Sequence, residues 1–141
     1  MRIFYLFIFL LTVQTTSSQS SKKLEELYGI LKKIEQNENL KRNEMFLLLE
    51  SYEDSCLINN IEISAWRNDV IFKIINHTSN FQNMIHILKK NESFFPYILE
   101  ELSSPVHEQD YNRCIENIRK TKGSKNIKKR MIFTLQQSME P

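Results

Sequence analysis

The stretch from Ile61 to Asn76, which reads IEISAWRNDVIFKIIN, decides the fold. Its apolar side chains recur along one helical face, and further apolar side chains widen that face. The residues concerned are Trp66, Val70, Ile71, Ile74 and Ile75, with Ile61, Ile63 and Phe72 beside them. We predict that Arg67, Asp69 and Lys73 form its polar stripe. A helix that is apolar over more than half its circumference must be covered by several neighbours, so this segment is predicted to be the central helix of an all-helical domain.

Further helical patterns flank the central one on both sides. They cover about Ser21–Gln36, Glu44–Asp54, Asn80–Lys90, Ser93–Ser103, His107–Thr121 and Lys125–Met139. Only two glycines and three prolines interrupt the chain, and no stretch alternates apolar and polar residues for long. A sheet is therefore not expected. The predicted fold class is all-α, a bundle of about six to seven helices.

The N-terminus has the three parts of a signal peptide. A basic start at Arg2 precedes an apolar run from Ile3 to Val13, and small polar residues follow from Gln14 to Ser20. Cleavage after Ser18 would remove residues 1–18 and leave 19–141 as a single secreted, extracellular domain. An uncleaved signal anchor fits less well because the apolar run is too short to span a bilayer, and no later segment is apolar enough to form a membrane span.

Composition and motif spacing argue against several function classes. The formal charge is +2, and removing residues 1–18, whose one charged residue is Arg2, leaves +1. A nucleic-acid binder would be strongly basic, so no nucleic-acid partner is expected. His77, His86 and His107 are scattered, and neither cysteine stands at a metal-ligand spacing from another Cys or His. No phosphate-binding glycine loop or catalytic serine elbow occurs, so we expect no metal, no cofactor and no enzyme.

The sequence also contains two clusters of charged residues, one around His107 and one basic run. His107 stands near Glu108 and Asp110, which we interpret as the solvated start of a helix rather than an acid–base site. The basic run consists of Lys120, Lys122, Lys125, Lys128, Lys129 and Arg130. It would either bind anionic polysaccharide weakly at a cell surface or form the polar face of an amphipathic helix, and we favour the polar face.

The two cysteines of the chain are Cys56 and Cys114. An even pair behind a signal peptide favours an internal disulfide, since the secretory pathway is oxidising. Closing so long a loop would stabilise the fold by about 4 kcal/mol in the chain-entropy model. Two buried free thiols, or a bridge between chains, are the alternatives.

Two N-glycosylation sequons also favour export. They are Asn76-His77-Thr78 and Asn91-Glu92-Ser93. Each falls where one helical pattern stops and the next begins, and such junctions are exposed. We therefore predict glycosylation at Asn76 and Asn91.

Three segments resemble helices of the interferon gamma family. They are MFLLLESYED (Met45–Asp54), ILKKNESFF (Ile87–Phe95) and NIKKRMIFTLQQSM (Asn126–Met139). They resemble, in this order, the family's short second helix, its fourth helix running into a paired phenylalanine, and its last helix. In the last helix Ile127, Arg130 and Leu135 match the family signature, whereas Lys128, Met131, Thr134 and Ser138 differ from it.

This resemblance implies a four-helical-cytokine type of fold and a function in immune signalling. The chain would be a secreted glycoprotein that forms an interdigitated homodimer and clusters cell-surface cytokine receptors. The region Ser21–Asn43 would contribute to receptor contact. The alternatives are another short-chain, monomeric helical cytokine, and a secreted helical carrier or effector that binds an apolar ligand among Phe94, Phe95, Trp66 and Met84.

We predict that Cys56 and Cys114 are bonded to each other in the secreted protein. Peptide mapping after denaturation without reductant, in the presence of an alkylating agent, should recover one cross-linked pair of peptides. Recovery of both cysteines in alkylated form would contradict the bond.

Overall fold

The structure is a computed structural model that describes residues 22–54 and 61–139, with only the helical backbone in 61–65. The described residues contain α-helices, one short 3-10 turn and no strand, so the predicted all-α class is confirmed. The helices are α1 (residues 22–35), α2 (Arg42–Glu50), α3 (Ile61–Asn76), α4 (Thr78–Lys90), α5 (Phe95–Ser103), α6 (Tyr111–Lys120) and α7 (Lys125–Gln137), and the turn is Glu92–Phe94.

Helix α3 lies at the centre of the packing, as its sequence predicts. It packs against α4, α5 and α6, while α7 covers α5 and α6 from the other side and also touches α4. The side chains of α3 that the core encloses are Val70, Ile71, Phe72, Ile74 and Ile75. They belong to one hydrophobic cluster to which α1, α2 and α4 to α7 all contribute buried side chains. A single chain therefore encloses most of the apolar side chains whose burial the structure describes.

Several helix ends differ from the pattern-based bounds, and the largest differences, of four residues each, are at the end of α2 and the start of α6. Helix α6 begins at Tyr111 rather than near His107, since the carboxylate of Asp110 accepts the backbone amide of Arg113 and caps the first turn. Helix α2 ends at Glu50, and the turn that follows still buries Tyr52 completely. A side-chain cap therefore sets the start of α6, and at the end of α2 the backbone tightens into turns, since the amides of Tyr52 and Glu53 donate to carbonyls three residues earlier.

The connection between α1 and α2 is held by side chains of α4. Asn80 Oδ1 accepts the backbone amide of Leu40 at 2.8 Å, and Asn80 Nδ2 donates to the carbonyl of Glu38 at 2.9 Å. His77 Nε2 lies 3.1 Å from the carbonyl oxygen of Asn37, whose φ of 56° lies in the left-handed region. A buried asparagine thus supplies the backbone partners that this irregular segment needs.

Gly123 follows the sixth helical pattern, and from the sequence a glycine at this place is predicted to stop the helix. We expect it to end α6 in a left-handed conformation, whereas α6 ends at Lys120 and its C-cap residue Thr121 is extended. Gly123 lies beyond that cap with φ of 150°. A Cβ at this position would lie 2.6 Å from Cγ2 of Ile85. Glycine is needed here for the close approach of the connection to α4, not for a helix stop.

The predicted positions of Trp66 and Arg67 on α3 are interchanged in the structure. Trp66 is 41% exposed, and its ring makes an edge contact with the ring of Tyr28, at 5.5 Å between the centroids. Arg67 is 6% exposed. Arg67 precedes Val70 and Ile71 by three and four residues, which places it on the buried face, whereas Trp66 lies seven residues before the exposed Lys73. Helical position therefore outweighs side-chain polarity.

The apolar pairs that motivate a dimer are largely covered within one chain. Phe94 and Phe95 are both buried, and α3 is enclosed from Val70 to Ile75 except at the exposed Lys73. Phe133 is the exception, since it is 62% exposed. From the sequence we expect a monomer to leave part of this apolar surface in water, and the dimer stays a prediction.

No helix within the described residues is both long and apolar enough to cross a membrane.

We predict that Phe72→Ala destabilises the protein far more than Trp66→Ala, although both change an aromatic residue of α3. Truncating the enclosed Phe72 leaves a cavity and should cost about 3–5 kcal/mol of unfolding free energy. Loss of the half-exposed Trp66 removes one edge contact and limited buried area, which should cost about 1–2 kcal/mol.

Urea unfolding followed by far-UV circular dichroism measures both variants on one scale and does not depend on the single tryptophan. An equal or larger loss for Trp66→Ala would contradict the position of α3 in the core.

Candidate functional site

The region that the interferon gamma resemblance assigns to receptor contact, Ser21–Asn43, is described from residue 22 onward and covers α1 and its connection to α2. Its outward side chains carry both signs of charge, and the exposed ones on α1 are Lys22, Glu25, Glu26, Lys32 and Glu35. Lys23 bridges Glu50 at 3.4 Å and Asp54 at 3.2 Å. Lys33 pairs with Glu44, and this hydrogen bond is the main cause of the lowered pKa of the Glu44 carboxyl. These ion pairs connect α1 to α2 and to the turn after α2. The outward face of α1 carries side chains of both charges.

The signature residues of the last helix pack against other parts of the bundle. Ile127 and Leu135 are buried in the core. The guanidinium of Arg130 lies over the ring of Phe95, with 4.6 Å between Cζ and the ring centroid. The three residues thus attach α7 to the rest of the bundle. The match of these residues to the family signature therefore reflects packing within the chain. It identifies no residue that contacts a partner.

Some cations in and near the basic run have a hydrogen-bond or ion-pair partner, and others have no ion-pair partner among the described residues. Lys128 Nζ donates to the carbonyl oxygens of Arg119, at 2.9 Å, and Thr121, so it caps the C-terminal end of α6. Lys120 forms an ion pair with Glu116 at 3.1 Å. Among the described residues no carboxylate forms an ion pair with Arg119, Lys125 or Lys129.

These unpaired cations line a groove between α6 and the exposed face of α7, which we call the basic groove. Its volume is about 410 Å³, and its lining residues are Arg119, Lys125, Lys128, Lys129, Ile132, Phe133 and Gln136. Lys125, Lys129 and Phe133 are four residues apart in sequence and therefore lie on one side of α7. The groove combines positive charge with an exposed aromatic ring, a combination that suits binding of another macromolecule.

A buried polar cluster joins the end of α2 to α3. Arg67 Nη2 donates to the carbonyl oxygen of Tyr52 at 3.0 Å, and the Tyr52 hydroxyl donates to the carbonyl oxygen of Arg67 at 2.7 Å. The guanidinium also lies over the Tyr52 ring, with 4.3 Å between Cζ and the ring centroid. Burial raises the pKa of Tyr52 well above its usual value, so this hydroxyl remains a donor.

Glu101 of α5 approaches the same cluster. Its carboxylate lies 3.8 Å from Arg67 Nε, which is close enough for charge attraction and too long for a hydrogen bond, so this buried Nε lacks a hydrogen-bond partner in the described part of the chain. Burial raises the pKa of Glu101, while the hydrogen bond from Asn68 Nδ2, at 3.1 Å, acts in the opposite direction. The contacts of the cluster connect the end of α2, α3 and α5.

Neighbouring residues of α3 fix the segment between α5 and α6. Asn68 Oδ1 accepts the backbone amide of Val106 at 2.9 Å. His107 Nδ1 lies 3.1 Å from Asp69 Oδ1, and Asp110 is occupied as the cap of α6. His107 therefore pairs with a carboxylate of α3 and not with the adjacent Glu108 or Asp110. This agrees with interpreting the acidic cluster as structural.

Cys114 of α6 is buried, and Cys56 lies outside the described residues, so the structure does not test the predicted bond between them. Burial raises the pKa of the Cys114 thiol to about 11, and the contact from Asn76 Nδ2 to Sγ, at 3.8 Å, opposes that rise. The thiolate is the reactive form, so the thiol reacts slowly at neutral pH while the fold is intact. The Cys56–Cys114 bond stays a prediction.

Both sequon asparagines use their side-chain amides within the protein. Asn76 Oδ1 accepts from Asn117 Nδ2 at 2.8 Å while Asn76 Nδ2 faces Cys114. Asn91 Nδ2 donates to the carbonyl of Ile87 at 3.0 Å. A glycan is joined to Nδ2, so attachment at either site would alter the contact that this nitrogen makes. Glycosylation at Asn76 and Asn91 stays a prediction.

Among the described residues no group of three His, Cys, Asp or Glu side chains could hold a metal ion. No protein-family model, curated protein or solved structure matches the chain.

Sequence reasoning missed the two features that are most distinctive in the structure. The signal for the basic groove was present, because Phe133 follows Lys125 and Lys129 at intervals of four and so belongs to the polar face of α7. The pairing of Tyr52 with Arg67 had no local signal. It depends on the path of the chain between α2 and α3, which periodicity does not specify.

Proposed function

We propose that the chain is a secreted helical signalling protein that binds and clusters cell-surface cytokine receptors and is active as a monomer. The observation that carries this proposal is the closure of one hydrophobic core by a single chain. A domain of this kind presents rigid helical faces to a partner. Its function would then reside in surface recognition and not in catalysis.

The sequence contributes the signalling part of the proposal. The signal-peptide pattern of residues 1–18, which lie outside the described residues, supports secretion. The three segments that resemble interferon gamma helices support a cytokine-type role. The resemblance also implies an interdigitated homodimer, which stays a prediction from the sequence.

The closed core favours the monomeric form of helical cytokine over the interdigitated one. In an interdigitated dimer the partner's helices fill a cleft between the helices of each chain. Here α3 has α4, α5 and α6 of its own chain as neighbours, and α7 closes against α5 and α6. In that arrangement the apolar side chains of α3 from Val70 to Ile75 are covered, and Lys73 is the exposed residue within this range.

A monomer that clusters two receptor chains needs two separate contact surfaces. The outward face of α1 and the basic groove differ in charge, the first carrying both signs and the second carrying cations. Surfaces with different charge patterns would attract different partners, because charge complementarity determines encounter and register.

Expression of the full chain in a eukaryotic secretory host tests this proposal. We expect the protein in the medium with Gln19 at its N-terminus. The labelled protein should bind saturably to leukocytes of the organism that encodes it, and cross-linking should recover a membrane protein at two copies or two kinds per bound chain.

Heat-denatured protein and an excess of unlabelled protein serve as controls for the binding measurement. Retention of the chain inside the host cells, or no saturable binding to leukocytes, fibroblasts or epithelial cells of that organism, would contradict the proposal.

A further inference from the structure

The basic groove holds three cations that the fold itself does not use. Lys128 caps α6, and Arg130 stacks on Phe95, so these two members of the basic run have structural roles. Arg119, Lys125 and Lys129 line the groove without an ion pair in the described part of the chain. Like charges held close together repel one another, and an anionic partner would relieve this repulsion.

An apolar surface lies among these cations. Phe133 is 62% exposed, and the partly buried Ile132 next to it packs against the core and also lines the groove. Aromatic rings at well-shaped surface sites contribute strongly to protein–protein binding because they bury a large area at low conformational cost. Positive charge around an aromatic ring therefore selects a ligand that is both anionic and apolar.

We propose that the basic groove binds an acidic segment of a protein partner, with carboxylates facing Arg119, Lys125 and Lys129 and an apolar side chain against Phe133. The inference rests on the proposed function, of which it specifies one receptor-contact surface and the chemistry of the receptor segment.

Two other occupants suit the groove less well. A sulfated polysaccharide would engage the cations and leave the ring of Phe133 without an apolar partner. A second copy of the chain, related by a two-fold axis through the groove, would place Lys125 and Lys129 against the same cations of its partner. Charge complementarity thus favours an acidic protein segment over both.

A synthetic peptide serves as the probe. It is a fluorescein-labelled helical 15-mer, about four turns long, with glutamates along one side and leucines at helical spacing next to them. One companion peptide replaces the glutamates by glutamine, and another replaces the leucines by serine. Fluorescence anisotropy measures Kd, and heparin is titrated separately as the anion that lacks apolar side chains.

Two variants and two matched controls test the groove. Phe133→Ala and the double change Lys125→Glu with Lys129→Glu should each raise the peptide's Kd at least tenfold. Val106→Ala, at another exposed apolar residue, and Lys90→Glu with Lys73→Glu, at exposed lysines of α4 and α3, should leave it within twofold. Far-UV circular dichroism and urea midpoints establish that all variants are folded.

We also expect each companion peptide to bind at least tenfold more weakly than the parent peptide. Several results would overturn the inference. They are no saturable binding of the parent peptide, equal weakening by the control lysine changes, and binding of peptide and heparin that Phe133→Ala leaves unchanged.

The cell-binding measurement separates this inference from the proposed function. If the wild-type chain binds its receptor and the groove variants bind it equally well, the groove is not a receptor surface and the proposed function stands. If the wild-type chain binds no cell, the proposed function fails whatever the peptide does.

Discussion

Enclosure of α3 by other helices of its own chain is the constraint on which the rest of the structure depends. From Val70 to Ile75 this helix is apolar on adjacent sides, and only coverage by α4, α5 and α6 together removes those sides from water. Burial of apolar area is the main favourable contribution to folding. The order of the helices and the inward face of each follow from this requirement.

Enclosing such a helix also removes polar groups from water. Asparagine side chains give many of these groups a hydrogen-bond partner within the protein. Asn80 supplies hydrogen bonds to the connection before α2, and Asn68 supplies them to the segment after α5. Arg67 is paired with Tyr52 by two reciprocal hydrogen bonds. A buried polar group without a partner is costly, so these contacts fix irregular segments around the helices.

The helical period and the composition predicted the all-α class, the central helix and most buried residues. A cap decided the start of α6, and only a structure shows which amide a carboxylate such as Asp110 accepts. Trp66 and Arg67 were misplaced because side-chain character was given more weight than helical position. The basic groove was missed because Phe133 was assigned, with Ile132, to apolar surface that a dimer would cover, and its spacing from Lys125 and Lys129 was not considered. The Tyr52–Arg67 pairing is a long-range contact and has no signature in local sequence.

The central claim is that one chain closes its own core, and sedimentation equilibrium combined with urea unfolding tests it most directly. We predict the mass of one deglycosylated chain at every concentration from nanomolar to high micromolar, with an unfolding midpoint independent of protein concentration. A mass of two chains, with a midpoint that rises with protein concentration, would contradict the claim and support the interdigitated dimer.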